Sequence, residues 1–149
     1  MATYSFLSVV ASISGPSGSS PLGCGAAPSE EGITISPASD RNTMVIGADG
    51  NGTHSLNANS SGTVTVRLLK TSPVNAILQA MFNQQSKNPL LHGRNTITVS
   101  DVARGDLTIL KDCAFKKLSE LGYKKDAEAT EWAFDYISET RVLGTGTPE

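Results

Sequence analysis

The stretch GTVTVRLLK, residues 62–70, followed by TSPVNAILQAMFNQQSK, residues 71–87, decides the fold class. Val64, Val66 and Leu68 alternate with Thr63, Thr65 and Arg67, the period of a strand with one buried face. Ser72 offers a helix N-cap and Pro73 suits the first helical position. Val74, Ile77, Leu78 and Met81 then recur at helical spacing, with Phe82 widening the stripe. Gln79, Asn83, Gln84 and Lys87 fall on the other side, and Pro89 marks the stop. One clean strand leads directly into one capped amphipathic helix.

Outward from this block the chain reads as strands. Thr3 to Ser14 places Leu7, Val9, Ala11 and Ile13 on one strand face. Residues 14–29, rich in Gly, Ser and Pro, read as a flexible arm or loop. Gly32 to Ser36 and Asn42 to Gly47 read as strands parted by Pro37 to Arg41. The turn-rich run ADGNGTHSLNANSSG occupies residues 48–62. Residues 37–62 therefore form a projecting loop or hairpin, an element with little to bury in its own subunit.

Downstream, Asn95 to Val102 alternates and Gly105 centres a tight turn. Leu107 to Leu118 is expected as a long strand with Leu107, Ile109, Cys113 and Phe115 on one side. A turn at Gly122 to Ala127 leads to a last strand from Glu128 to Val142. Trp132, Phe134 and Tyr136 share one face of it; Glu131, Asp135 and Glu139 share the other. Residues 143–149 form a tail. About seven strands joined by turns, plus one helix, predict a mainly β, antiparallel sandwich or barrel.

A chain of 149 residues is one domain by size and long enough for a core of its own. Its net charge of −2 argues against nucleic-acid binding as a main task. Charge is uneven: Arg41 is the one base in the first 66 residues, against Glu30, Glu31, Asp40 and Asp49. Cys24 and Cys113 are the only cysteines and are expected as reduced thiols. MATYSFLSVVASISG lacks the basic start of an export signal, so synthesis and folding in the cytoplasm are expected. No segment has the apolar length to span a membrane.

Catalytic signatures are missing. His54 and His92 have no cysteine or acid at metal-ligand spacing. No nucleophile elbow or phosphate loop occurs, and no nucleophile has its base. Asp49, Asn51 and Thr53 resemble the start of a calcium loop, with the glycine misplaced and no closing acid. Asn51 and Asn59 match the glycosylation pattern, which carries no meaning in a cytoplasmic protein. Lys116 with Lys117, and Lys124 with Lys125, flank a turn; they form a solvated tip or a positive edge that meets an acidic neighbouring subunit. The acids Glu131, Asp135 and Glu139 form an ordinary exposed face or the wall of a channel that repels a polyanion.

The runs SEEGITI, DRNTMVIGADGNGTHSLNANSSGTVTVRLLKTSPVNAIL, NTITVSDVARGD, AFKKL and TEWAFD resemble the tail tube proteins of bacteriophages with contractile tails, from about Thr3 to Leu143. The resemblance implies a tail-tube fold, a β-sandwich or half-barrel with one flanking α-helix. It implies self-assembly into hexameric rings stacked as a hollow tube, with the longest strands around the lumen. Lumen candidates are Glu131, Asp135 and Glu139. Asp40, Arg41, Asp49, Asn51, His54, Asn57 and Asn59 would belong to the loop that reaches the adjacent ring. Gln79, Asn83, Gln84 and Lys87 would lie on an outer helix near the sheath. Implied partners are further copies of itself, the tail sheath protein, the tape measure protein, and the baseplate and tail terminator proteins. Phage DNA would pass through the lumen without specific binding. No cofactor, metal or membrane is implied, and the site of action is the virion. The rival reading is a small β-domain of the baseplate or a capsid decoration that binds one partner without forming tubes.

Overall fold

The computed structural model describes residues 4–23 and 28–144. Ten strands and one α-helix are present there: β1 Val9–Gly15, β2 Gly18–Pro21, β3 Pro28–Pro37, β4 Asn42–Ile46, β5 Gly52–Leu56, β6 Gly62–Leu68, α1 Val74–Gln85, β7 Asn95–Asp101, β8 Asp106–Phe115, β9 Thr130–Tyr136 and β10 Ser138–Val142. Eight strands form one antiparallel sheet in the order β2-β1-β7-β8-β9-β6-β3, with β10 also paired to β8. Among the described residues, strands β4 and β5 pair only with each other.

Strand β8 divides that sheet into two wings. Leu107 to Lys111 pair with β10, while Ala114 and Phe115 pair with β9. Wing one is β2-β1-β7-β8-β10, and wing two is β9-β6-β3. Core side chains come from both: Ala11, Ile13, Ile97 and Leu110 from wing one; Val64, Val66, Leu68, Trp132, Phe134 and Tyr136 from wing two. The fold is thus the expected mainly β sandwich or half-barrel with one helix.

The alternation in β6 is realised: Val64, Val66 and Leu68 are fully buried, and Thr63, Thr65 and Arg67 half-buried. The helix begins one residue later than expected. Ser72 Oγ accepts the Val74 N–H at 3.3 Å, so Ser72 caps from two residues ahead of the helix. Val74, Leu78, Met81 and Gln85 form the buried stripe, whereas Ile77 is exposed. Trp132 Nε1 donates to Asn75 Oδ1 at 3.0 Å and ties the first turn to wing two. Gln85 and Asn95 exchange two amide hydrogen bonds of 2.8 Å in the interior, and Gln85 Nε2 also reaches Ser17 Oγ at 2.7 Å. The helix end is thereby tied to β7 and to the β1–β2 turn.

Several boundaries differ from expectation. The first strand starts at Val9, not Thr3. Ser5 Oγ accepts the Leu7 N–H at 3.1 Å and caps a short 3-10 turn at Phe6–Ser8, which leaves Leu7 exposed. Residues 14–29 are not all arm or loop. Gly18–Pro21 pairs with β1, and Leu22 is fully buried; residues 24–27, with Cys24, lie outside the described residues.

Leu107 and Ile109 do not share a face with Cys113 and Phe115. Asp112 has φ 55°, and the register jumps from Ile97↔Leu110 to Asn95↔Cys113, so β8 carries one extra residue. That bulge puts Thr108 and Leu110 inward along with Cys113 and Phe115. Strand β8 also ends at Phe115 rather than Leu118. The final strand is two strands, broken at Ile137, where the chain passes from wing two to wing one.

Candidate assembly surfaces

The segment 37–62 is a hairpin that stands clear of the sandwich. Met44 lies opposite His54, Val45 opposite Thr53 and Ile46 opposite Gly52. Side-chain alternation gives it two unlike faces. Met44, Ile46, His54 and Leu56 share one; Thr43, Val45, Thr53 and Ser55 share the other. Every residue of both strands is exposed, Leu56 at 82%. A lone two-stranded hairpin is marginal in water, so its ends are tied by local bonds.

At the base, Arg41 Nε donates to the Asn57 carbonyl at 2.8 Å, and the Asn57 N–H donates to the Arg41 carbonyl at 2.8 Å. Asn57 Nδ2 reaches the Asp40 carbonyl and Thr43 Oγ1, each at 3.2 Å. Asn59 Nδ2 donates to Ser39 Oγ at 2.9 Å. At the tip, Asp49 accepts the Asn51 N–H at 3.1 Å and Asn51 Nδ2 at 2.9 Å. Those bonds, the backbone one first, hold the Asp49 carboxyl below its ordinary pKa of 3.8. Gly50 takes φ 88°, which glycine adopts without cost. The loop candidates Asp40, Arg41, Asp49, Asn51, His54, Asn57 and Asn59 are thus distributed over base, strand and tip of one hairpin. The carboxylate that suggested a calcium loop is engaged by its own turn.

The acidic row of the last strand is divided. Glu131 and Asp135 lie on the outer face of wing two, beside Thr63 and Arg67. Arg67 pairs with Glu131 at 3.3 Å, and Thr63 Oγ1 donates to Asp135 at 3.0 Å. Glu139 does not join them. It belongs to β10, its side chain is 10% exposed, and it accepts the Tyr136 hydroxyl at 2.6 Å while pairing with Arg141. Burial, with that bond to Glu139, raises the Tyr136 phenol pKa. The break at Ile137 is the reason: alternation does not survive a change of wing.

On the helix, Asn83 and Gln84 are exposed, and half-buried Gln79 donates to Asn83 Oδ1 at 3.0 Å; Lys87, expected on the helix, lies exposed in the turn beyond its end at Gln85. The helix end shapes a feature that the sequence did not announce. A cavity of about 460 Å³ lies between the C-terminal end of α1 and the end of β8. Phe82 and Phe115 meet edge to face inside it, centroids 5.6 Å apart. Gln85, Ser86, Pro89, His92, Lys116 and Lys117 complete its lining. Phe82 beside the apolar stripe, and two lysines directly after Phe115, were the available signal.

Among the described residues, no three His, Cys, Asp or Glu side chains gather as a metal site, and no helix is long and apolar enough to cross a membrane. Cys113 is buried, and burial pushes its thiol pKa up to about 12, so it is held as an inert thiol.

No curated protein matches this sequence. Among solved structures, the chain is similar to the cryo-EM structure of the anti-feeding prophage cap, described as a tube-terminating cap. The TM-score is 0.56 at 10% identity, over 97% of this chain and 95% of that one, which is a likeness of fold. A protein-family model described as bacteriophage PhiTE tail tube protein matches residues 1–144, nearly the whole chain. That family consists of virion structural proteins, not enzymes. A two-winged β sandwich with an exposed hairpin, matched over that length, is a phage tail structural protein and belongs to the PhiTE tail tube protein family.

Proposed function

We propose that this chain is the repeating subunit of a hollow tail tube, six copies to a ring and rings stacked end to end inside a contractile sheath. The observation that carries this reading is the hairpin. It holds Met44, Ile46 and Leu56 on one exposed face and buries none of them at home. A soluble monomer gains nothing from such an element, and a stacked assembly buries it. The sheet supports the same reading. Strands β2, β3 and β10 each end a pairing path and offer unpaired backbone, a hazard that ring closure removes.

In this assembly the outer face of wing two lines the lumen with Glu131 and Asp135. Arg67 offsets the Glu131 carboxylate, and Asp135 keeps its charge beside Thr63. A weakly negative wall repels DNA without binding counter-ions tightly. Glu139 takes a packing role at the hairpin root instead. The polar helix surface of Gln79, Asn83 and Gln84, with Lys87 just beyond it, faces the sheath. The tape measure protein occupies the bore before DNA does, and baseplate and terminator proteins close the ends. Production in the host cytoplasm precedes incorporation into the virion.

Negative-stain microscopy of the concentrated protein, with light scattering on the same sample, tests the reading. Hollow filaments with a regular axial repeat are expected, either alone or on co-expression with baseplate components. Monomers or small oligomers under both conditions would instead establish a partner-binding β-domain of the baseplate or capsid.

A further inference from the structure

We infer that the cavity between the end of α1 and the end of β8 is the receptor for the hairpin tip of a second copy of this chain. The inference deepens the tube reading and rests on it for the presence of that second copy in the adjacent ring. Three observations converge on this pairing.

The first is chemical fit. The hairpin presents Met44 and Ile46, both more than half exposed, next to its tip. The cavity offers about 460 Å³ floored by Phe82 and Phe115. Burying aliphatic side chains against aromatic ones removes apolar surface from water on both partners.

The second is charge. Asp49 is the sole ionic residue from Asn42 to Ser61. The cavity lining contains Lys116, Lys117 and His92 and no acid. A second apolar cavity, about 340 Å³ between Ile33, Ile35, Val9 and Val99, contains Asp101 and Asp106 against one Arg141. There Asp101 is already paired with Arg104 and no lysine lines the cavity, so an acidic tip is attracted to the lysine rim instead.

The third is placement. The hairpin leaves wing two where Pro37 pairs with Gly62 and Gly62 with Tyr136, the last residue of β9. Beyond Phe115, the Lys116 N–H donates to the Ala133 carbonyl, so the lysine rim lies toward the Thr130 end of β9. Donor and receptor are different surfaces displaced along the strand direction. A contact between such surfaces is head-to-tail, and a head-to-tail contact that does not close propagates as a filament.

A charge exchange and a cross-link test this. Asp49→Lys and Lys117→Glu change exposed residues, and circular dichroism is expected to show both folded. Each alone is expected to raise the protein concentration needed for tube assembly about 10-fold, and the double variant to return it to within about 3-fold of the parent. Independently, a photo-reactive phenylalanine analogue at Ile46 is expected to cross-link between subunits to the peptides holding Phe82–His92 or Phe115–Lys117. Tubes with cross-links elsewhere, or singles that assemble normally, overturn the inference and leave the tube reading standing. Cross-links at the cavity without tubes uphold the docking and sink the tube. Neither tubes nor inter-subunit cross-links sinks both.

Discussion

Asp112 is the one described residue other than glycine with a positive φ, and much of the fold turns on it. Its left-handed backbone inserts the extra residue that lets β8 serve both wings. A β-branched side chain resists that conformation. Asp112→Val is expected to cost about 1–2 kcal/mol in urea unfolding, and Asp112→Gly close to nothing. The same bulge explains which core residues the sequence revealed. Val64, Val66, Leu68, Trp132, Phe134 and Tyr136 were legible because their strands keep strict alternation. Leu107 and Ile109 were misplaced because one inserted residue inverts parity, and nothing in the local pattern marks it. Gln85 was also hidden, since an amide on a helix reads as polar surface until its partner Asn95 is in place. Gln85→Leu strands the Asn95 amide and is expected to destabilise by about 1–3 kcal/mol. Acid acts on Asp49, whose carboxyl pKa is lowered in the fold. Its contribution to the tip is present above pH 3.8 and lost as pH falls through the lower, folded value. Protection of the Asn51 amide, measured as its exchange relative to an unstructured peptide at the same pH, is expected to fall in that window.

The elements divide by what they bury. Helix α1 contributes Val74, Leu78 and Met81 to the core; Leu78→Ala is expected to cost about 2–5 kcal/mol. The β4–β5 hairpin contributes none. Replacing residues 42–56 by a short Gly-Ser linker is expected to change unfolding free energy by no more than about 0.5 kcal/mol, as for surface changes, while abolishing tubes in the microscope. A large loss of stability would show that the hairpin braces its own subunit. Strand β5 and strand β2 escaped the sequence reading for one reason: GTHSL and GSSP lack an apolar period. Their neighbours impose the strand, β4 on one and β1 on the other. The break at Ile137 escaped because Glu131, Asp135 and Glu139 keep one spacing through it and read as a single face. Only the geometry of β8 decides that the chain must change wings there.

For the whole molecule, the architecture was readable because a capped helix and several alternating segments leave few alternatives. The choice of lumen face in the proposed tube was not readable, because it belongs to an assembly and not to one chain. Asp135→Lys tests that choice. It gives up one exposed hydrogen bond with Thr63, so tubes are expected at parental yield, while phage complemented with the variant are expected to lose infectivity as the bore turns cationic. Unchanged infectivity would place another face toward DNA.

The hairpin root has a mechanical consequence. A pull on the tip runs lengthwise down β4 and β5 and arrives at Arg41 and Asn57, whose reciprocal bonds clamp the two legs together. From that clamp the load passes into β3 and β6, which are paired side by side from Ile33 to Pro37. Both strands are drawn the same way, so the load falls as shear on the bonds between β6 and β9, paired from Gly62 to Leu68, all at once instead of one by one. In the proposed tube each subunit would therefore carry a tether that is stiff along the pull and supple across it, suited to a column that must bend without coming apart.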